Sequence, residues 1–174
     1  MKRRNFLKKT IGIGAIAAAS TLSTPAISKG RIKWKMVTTW PKNFPGLGTG
    51  AQRIADSITA MSEGQLTVKL FAAGELVPAF ESFDAVRQET AQMSHGASYY
   101  WINKNKSTPF FAAVPGGLTA QEHDAWIHYG GGQELWDELY AEFNLKGFLG
   151  SDFATIIVLA SDLYCFAKSF KILG

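Results

Sequence analysis

The chain has 174 residues, of which 18 are Lys or Arg and 14 are Asp or Glu. Five of the basic residues and none of the acidic ones lie in residues 1–28, so residues 29–174 carry a net charge of −1. The positive charge of the whole chain is therefore no evidence for nucleic-acid binding. A single cysteine, Cys165, excludes an internal disulfide and a cysteine-rich metal site.

The first 28 residues have the features of an export signal. Two arginines, Arg3 and Arg4, are followed by Asn-Phe-Leu-Lys, a mild apolar run covers 11–19, and a small-x-small cleavage site ends at Ser28. This order resembles a twin-arginine signal peptide, which predicts export to a bacterial cell envelope and removal of the segment. A membrane anchor is the alternative, which the Gly and Ser content of 10–28 disfavours.

The next part of the chain predicts a strand, a helix and a second strand. Alternating apolar residues predict strands at 31–39 and 65–71, and a loop rich in Pro and Gly follows the first. Between the strands, apolar residues at three- and four-residue spacing predict a helix from Leu47 to about Met61. Gly64 is the expected left-handed residue after this helix.

Further short elements follow up to residue 149. A turn is predicted over 72–77, a short helix ends near Glu89, a third strand covers 91–97, and 99–105 is a helical turn. Thr119 and Glu122 have the spacing of a capping box, and Gly130–Gly132 interrupts the helix that this box begins. Residues 145–149 are a short apolar strand. The alternation of strands and helices predicts an α/β fold with a largely parallel sheet flanked by helices.

The stretch from Gln92 to Trp101 is the strongest candidate for a binding site. A short apolar strand reaches Gly96 and two small residues, and three aromatic residues, Tyr99, Tyr100 and Trp101, come next. Small residues leave room for a ligand, while tyrosine and tryptophan supply an apolar surface with hydroxyl and indole donors. Three consecutive aromatics cannot all face one core, so we expect Tyr100 or Tyr99 to contact a ligand.

The other polar residues suggest little catalytic chemistry. His95 is predicted to be a packed, hydrogen-bonded histidine, with ligand contact as the alternative. His123 and His128 are five residues apart and do not share a helix face, and no His, Asp or Glu cluster has metal-ligand spacing. Ser94 and His95 are neighbours on a strand and point to opposite faces, which disfavours a nucleophile pair. We therefore predict neither a metal site nor an enzyme active site.

A glycine pattern gives the main alternative function. Gly46–Ala51 fits G-x-G-x-x-A at the start of a helix, as in dinucleotide-binding oxidoreductases. The fit is imperfect, because six residues separate the strand from Gly46 and no acidic residue ends the second strand. A small anion at the helix N-terminus, or plain loop geometry, explains the pattern better.

Five segments together resemble a known family. They are Trp40–Gln52, Phe71–Pro78, His95–Trp101, Gly117–Glu122 and Tyr129–Gly132. Their sequences are similar to those of the periplasmic solute-binding subunits of tripartite ATP-independent periplasmic (TRAP) transporters, in the branch that binds 2-oxo acids and related monocarboxylates. The resemblance covers residues 31–150.

This resemblance implies a two-lobed, periplasmic-binding-protein-like fold that closes around a small organic acid such as pyruvate, without catalysis. It implies that residues 29–150 belong to the first lobe, and it adds Asn43 and Phe44 to Tyr100, Tyr99 and His95 as ligand-binding candidates. It also implies a periplasmic location, membrane permease subunits as partners and, in this branch, a homodimer. Sodium or another cation is implied for the full-length family, and no cofactor is expected in this chain.

Residues 151–174 depart from the family pattern. The family continues with a Gly-Val-Gln-Met-Gly-Gly-Trp-like segment and an Arg that grips the carboxylate, whereas 151–174 has no Gln, Arg or Trp. We interpret this segment as an aberrant apolar tail, and we expect a truncated first lobe with weak or no affinity. Its longest uncharged run, 153–161, is too short to cross a membrane.

Overall fold

The computed structural model describes residues 31–150 and 156–160. The predicted export signal and the other residues of 151–174 lie outside this range. The described strands are β1 (Ile32–Thr38), β2 (Leu66–Phe71), β3 (Met93–Gly96), β4 (Leu145–Leu149) and β5 (Ile156–Ala160). The α-helices are α1 (Leu47–Met61), α2 (Ser82–Arg87), α3 (Ala120–Tyr129) and α4 (Gly132–Ala141), and 3₁₀ turns cover Ala79–Glu81, Ser98–Trp101 and Thr108–Phe111.

The five strands form one sheet in the order β2-β1-β3-β5-β4. β1 pairs in parallel with both β2 and β3, whereas β5 is antiparallel to β3 and to β4. Four of these strands therefore run in one direction and β5 runs against them. This confirms the α/β class and the largely parallel sheet.

Helices cover both faces of the sheet, and each face has its own core. On one face α1 packs Ala51, Ala55 and Ile58 against Trp34 and Met36 of β1. The other face carries the larger core, where α2, α3 and α4 meet the sheet; its principal buried side chains are Val37, Phe83, Trp101, Phe111, Ile127, Trp136 and Tyr140. Adjacent residues Met36 and Val37 thus serve opposite cores, as the two-residue period of a strand requires.

The predicted boundaries are confirmed where a local signal marks them. α1 runs from Leu47 to Met61 as expected, and Gly64 has a φ of 74°, the left-handed geometry predicted for it. The Glu122 N–H donates to Thr119 Oγ1 at 3.4 Å and the Thr119 N–H donates to Glu122 Oε2 at 2.8 Å, so the capping box is formed. Gly131, with a φ of 82°, separates α3 from α4.

The sheet continues past residue 150, where we expected the lobe to end. β5 inserts between β3 and β4, with Val158 opposite both Ser94 and Gly147. Its apolar residues 156–160 suit a strand with a neighbour on each side. Among the described residues, no helix is long and apolar enough to cross a membrane.

Candidate functional site

The strand order places a crevice beside the end of β1. The chain leaves β1 for β2 on one side and then returns to β3 on the other side, so the direction of winding changes between β1 and β3. In open α/β sheets, ligands bind outside the carboxyl ends of the strands at such a switch point. The residues that follow β1 and β3, Thr39–Trp40 and Ala97–Tyr100, are therefore the first candidates.

An aromatic wall lies at this place. Trp40 stacks on Phe44 with ring centroids 6.2 Å apart, and Trp40 also contacts Tyr100 at 5.9 Å. Tyr100 meets Tyr99 at 4.8 Å and Phe80 at 5.0 Å, both edge to face. We call these five residues, Trp40, Phe44, Phe80, Tyr99 and Tyr100, the aromatic wall.

The 3₁₀ turn Ser98–Trp101 divides the three consecutive aromatics between core and wall. Trp101 is buried against Phe83, with ring centroids 5.1 Å apart, whereas Tyr99 and Tyr100 are half-buried. The expectation that three aromatics in a row cannot share one core is confirmed. Phe80 is 65% exposed, so the wall presents apolar surface to solvent, which is typical of a binding surface.

Tyr100 is a neutral hydrogen-bond donor in the wall. Burial and, to a smaller extent, the neighbouring Tyr99 raise the pKa of the Tyr100 hydroxyl from 10.0 to about 12. At neutral pH, Tyr100 therefore keeps the proton that it can donate to a carbonyl or carboxylate oxygen.

His95 contacts the residues that connect β1 to the wall. It is fully buried on β3, and its Nδ1 lies 3.4 Å from Thr38 Oγ1, which also accepts the Trp40 N–H at 3.3 Å. The His95 carbonyl accepts the Thr39 N–H at 3.1 Å. The prediction of a packed, hydrogen-bonded histidine is confirmed, and these contacts join His95 to the residues that lead into Trp40.

Buried polar atoms lie beside the wall without protein partners. Thr39 Oγ1, Ser98 Oγ and Trp40 Nε1 have no hydrogen-bond partner within the described part of the chain. Buried hydroxyl and indole groups are normally paired, with water or a ligand where protein groups do not serve. These three groups add a hydrogen-bonding capacity that the sequence did not reveal.

Asn43 directly precedes Phe44 but has no ring contact and is not part of the wall. Its φ of 59° is a left-handed conformation that asparagine tolerates, so the loop geometry alone explains the residue. Its side chain lines a polar cavity of about 130 Å³ together with Thr38, Lys42, Gln52 and Glu75. The structure thus brings Phe44, Tyr99 and Tyr100 together through Trp40, with His95 beneath them, and leaves Asn43 beside them.

The sequence reasoning missed Trp40 and Phe80. Trp40 was recognisable, because it directly follows a predicted strand at the end where ligands bind. Phe80 lies in a 3₁₀ turn, and its approach to Tyr100 depends on tertiary packing that no local pattern indicates.

In Gly46–Ala51, Gly48 serves packing and Gly46 adopts a left-handed backbone conformation with a φ of 76°. The Gly48 and Thr49 N–H groups both donate to the Phe44 carbonyl, at 3.0 and 3.1 Å, and the Leu47 N–H donates to the Pro45 carbonyl. A Cβ on Gly48 would lie 2.7 Å from the Pro41 carbonyl oxygen. The N–H groups of Leu47, Gly48 and Thr49 already donate to backbone carbonyls, and Gly48 is needed because a side chain there would clash with Pro41. The geometry therefore gives no support to a dinucleotide or anion site at this loop.

The described residues provide no buried cation beside the wall. Arg31, Arg53 and Arg87 are all exposed, and Lys104 forms an ion pair with Asp84 at 2.6 Å. Likewise, no group of three or more His, Cys, Asp or Glu residues in the described ranges could hold a metal ion. The wall therefore offers apolar contact and neutral donors.

An open α/β sheet with an aromatic wall at its switch point is typical of a small-molecule binding domain. The family model of bacterial extracellular solute-binding protein, family 7 (DctP) matches residues 36–155, and the chain belongs to this family. This is a family of transport proteins and not of enzymes, and the resemblance found in the sequence is confirmed.

Three relatives show what the chain is similar to. A monocarboxylate 2-oxoacid-binding periplasmic protein of Nostoc sp. is 38% identical over 157 residues, 85% of this chain and 42% of that protein. A TRAP periplasmic solute-binding protein from Pseudoalteromonas atlantica, solved with bound sodium and pyruvate, is 40% identical with a TM-score of 0.66, over 68% of this chain and 36% of that one.

The third relative is a TRAP transporter solute-binding protein from Bordetella bronchiseptica, solved as a dimer of mixed occupancy with calcium and picolinate in its active site. It is 34% identical with a TM-score of 0.66, over 68% of this chain and 35% of that chain. The chain thus spans about two fifths or less of the length of these relatives.

Proposed function

We propose that the chain is a solute-binding component of a TRAP transporter for a small 2-oxo monocarboxylate such as pyruvate. The observation that carries this proposal is the aromatic wall at the carboxyl ends of β1 and β3. Relatives at 34–40% identity bind pyruvate or picolinate, both small monocarboxylates, which supports this ligand class.

Four of the five wall residues have roles that fit such a ligand. Tyr100 donates its hydroxyl proton to an oxygen of the acid, and Tyr99 beside it orients that hydroxyl. Phe44 and Trp40 cover the apolar end of the ligand by stacking. His95 positions the strand end through Thr38, and Asn43 fixes the loop that carries Phe44.

The wall residues do not supply the positive charge that a carboxylate ligand needs. Small carboxylates in clefts are held best by a bidentate guanidinium, and the described arginines are exposed. Two relatives carry sodium or calcium together with the ligand, whereas the described residues here contain no metal-ligand cluster. We therefore expect weak binding by this chain, with a Kd of about 1 mM or higher, which corresponds to about −4 kcal/mol or weaker.

The organisation of the chain follows from the same proposal. Residues 1–28 direct export to the periplasm by the twin-arginine route, and the first lobe begins at residue 29 and includes β5. Membrane permease subunits receive the ligand, and the dimeric relative supports a homodimer.

Ligand-detected NMR tests this function. When the protein resonances are saturated, the saturation should transfer to the methyl protons of pyruvate. An excess of picolinate should abolish this transfer by competing for the site. Tyr100→Ser should weaken the signal, while Tyr129→Ser, at a residue 90% exposed and outside the wall, should not. Transfer to a reduced nicotinamide dinucleotide but not to pyruvate would overturn the proposal, and micromolar binding in calorimetry would contradict the predicted weakness.

A further inference from the structure

A second apolar surface is formed by α3, α4 and the 3₁₀ turn Thr108–Phe111. Two adjoining cavities of about 450 and 210 Å³ share Phe110 and Trp126 as lining residues. Leu135 and Leu139 line the larger cavity, and Phe110 and Leu135 are both more than half exposed. We call this surface the apolar groove; it shares no lining residue with the aromatic wall.

Stacked aromatic rings hold the floor of the groove. Phe111 stacks on both Trp126 and Trp136, with ring centroids 5.8 and 5.1 Å apart and interplanar angles of 16° and 9°. Glycines lie against both tryptophans: a Cβ on Gly132 would be 2.9 Å from Trp126 Cδ2, and a Cβ on Gly147 would clash with the Trp136 ring. Such close packing fixes the rings, so the floor is formed before any ligand binds and little ordering is needed on binding.

The charged side chains of the groove are all carboxylates. Glu138 and Glu142, one turn apart on α4, line the larger cavity, and no basic residue lines it. Neither glutamate forms an ion pair within the part of the chain that the structure describes. Between Lys106 and Lys146 the sequence has six acidic residues and no Lys or Arg. The groove therefore combines apolar surface with an uncompensated negative potential.

Aromatic and carboxylate groups together suit one class of ligand. An organic cation is attracted both to the face of an aromatic ring and to a carboxylate, while its apolar body fills the apolar part of the site. An anion would be repelled by Glu138 and Glu142, and a neutral apolar molecule would desolvate these carboxylates without compensation. The larger cavity, at about 450 Å³, lies within the range of about 300–1,000 Å³ that is usual for small-molecule sites.

We propose that the apolar groove binds a small organic cation, a quaternary or protonated amine on an apolar body. The apolar body contacts Phe110, Leu135 and Leu139, and the ammonium group lies beside the carboxylates of Glu138 and Glu142. Since the groove shares no lining residue with the aromatic wall, the organic cation and an organic acid at the wall bind at separate sites.

Ligand-detected NMR of the full chain, with benzyltrimethylammonium as the probe, tests this site. The probe should bind about fivefold more tightly than benzyl alcohol, because only the cation is attracted to the ring and the carboxylates. The Glu138→Gln/Glu142→Gln variant should lose this preference. The matched control, Asp124→Asn/Glu134→Gln, removes the same charge from exposed positions that line neither cavity, and it should keep the preference.

The resonances of the protein show where the probe binds. Benzyltrimethylammonium should shift the Trp126 indole resonance and leave that of Trp40 unchanged, and pyruvate should not displace it. Equal affinity for the cation and the alcohol, a preference that survives in the Glu138→Gln/Glu142→Gln variant, or no shift at Trp126 would overturn the proposal. Probe binding that is lost as a dimer forms at higher protein concentration would overturn it in favour of a second copy in the groove.

Discussion

At the residue scale, short-range chemistry decided which sequence predictions held. The capping box of Thr119 and Glu122 and the turn at Gly64 depend on two or three neighbouring residues, and both formed as predicted. The identity of the wall residues depends on packing between segments 20 and 60 residues apart, so Trp40 and Phe80 were not predicted. Local sequence shows that an aromatic must leave the core, but not which other ring it meets.

The Tyr100 hydroxyl should contribute to ligand affinity but not to the fold. Tyr100→Phe keeps the ring contacts with Trp40, Phe80 and Tyr99 and removes one donor. A lost neutral hydrogen bond costs about 1 kcal/mol, so the Kd for pyruvate should rise roughly fivefold. NMR titration measures the change, with Tyr129→Phe as the matched control. An unchanged Kd would show that the hydroxyl does not touch the ligand.

Alkaline titration should reveal the environment of Tyr100. Burial, with Tyr99 adding to it, raises the pKa of Tyr100 to about 12 from its ordinary value of 10.0. The folded state then binds this proton more tightly than the unfolded state, so the associated stability is complete below pH 10 and is lost as the pH rises toward 12. The difference in tyrosinate absorbance between the unaltered chain and Tyr100→Phe should have its midpoint near pH 12. A midpoint near pH 10 would contradict the burial described here.

At the element scale, the strands and helices with strong periodicity were predicted to within a few residues, while short connections were not. β3 covers only Met93–Gly96 of the expected 91–97, and the helical turn expected over 99–105 is a 3₁₀ turn over Ser98–Trp101. Such elements have too few residues for periodicity to define them, and their ends are set by the neighbouring strands and by close glycine contacts.

Gly96 lets the end of β3 pack closely against Thr39, which directly precedes the wall residue Trp40. A Cβ at this position would lie 2.9 Å from Thr39 Cγ2 and 3.3 Å from Trp101 Cη2. Gly96→Ala should therefore destabilise the protein by about 1–3 kcal/mol in urea denaturation. Thr39→Ser removes the Cγ2 methyl and should restore part of this loss in the double variant. Additive effects of the two substitutions would show that the two residues do not meet.

The capping box should make the stability of α3 depend on pH. Hydrogen bonds from the Thr119 backbone N–H and then from its hydroxyl lower the pKa of Glu122. Because the pKa of Glu122 is lowered in the folded state, its contribution to the free energy of unfolding is present above pH 4.5, the ordinary value. This contribution is lost as the pH falls through the lowered pKa. Glu122→Gln should thus destabilise at neutral pH and have little effect in acid. Glu134→Gln, at the same position of α4, which has no side-chain cap, should show a smaller difference, and equal effects would argue against the box.

At the scale of the whole molecule, the sequence predicted the α/β class and the family, but not the course of the chain after residue 150. Residues 151–174 contain no turn or capping signal of the kind that placed the earlier elements, and a five-residue apolar run is ambiguous. Whether such a run becomes a strand depends on a free position between β3 and β4, which only the assembled sheet defines.

A proline in β5 tests its place inside the sheet. Val158 is paired on both sides, and proline in a central strand removes a ladder hydrogen bond and clashes with the neighbouring strand. Val158→Pro should lower the urea midpoint strongly, whereas Val158→Thr, which keeps the N–H and the β-branched shape, should lower it only slightly. Equal midpoints for the two variants would show that residues 156–160 do not join the sheet.

The central claim is that a small 2-oxo acid binds at the aromatic wall, and chemical-shift mapping tests it most directly. Pyruvate added in a sodium buffer should shift the Trp40 indole resonance and the amides of Thr39, Ser98, Tyr99 and Tyr100. Propionate, which lacks the oxo group, should produce smaller shifts at the same places. Pyruvate-induced shifts only at resonances away from the wall, or identical shifts for the two acids, would contradict binding of a 2-oxo acid at the wall.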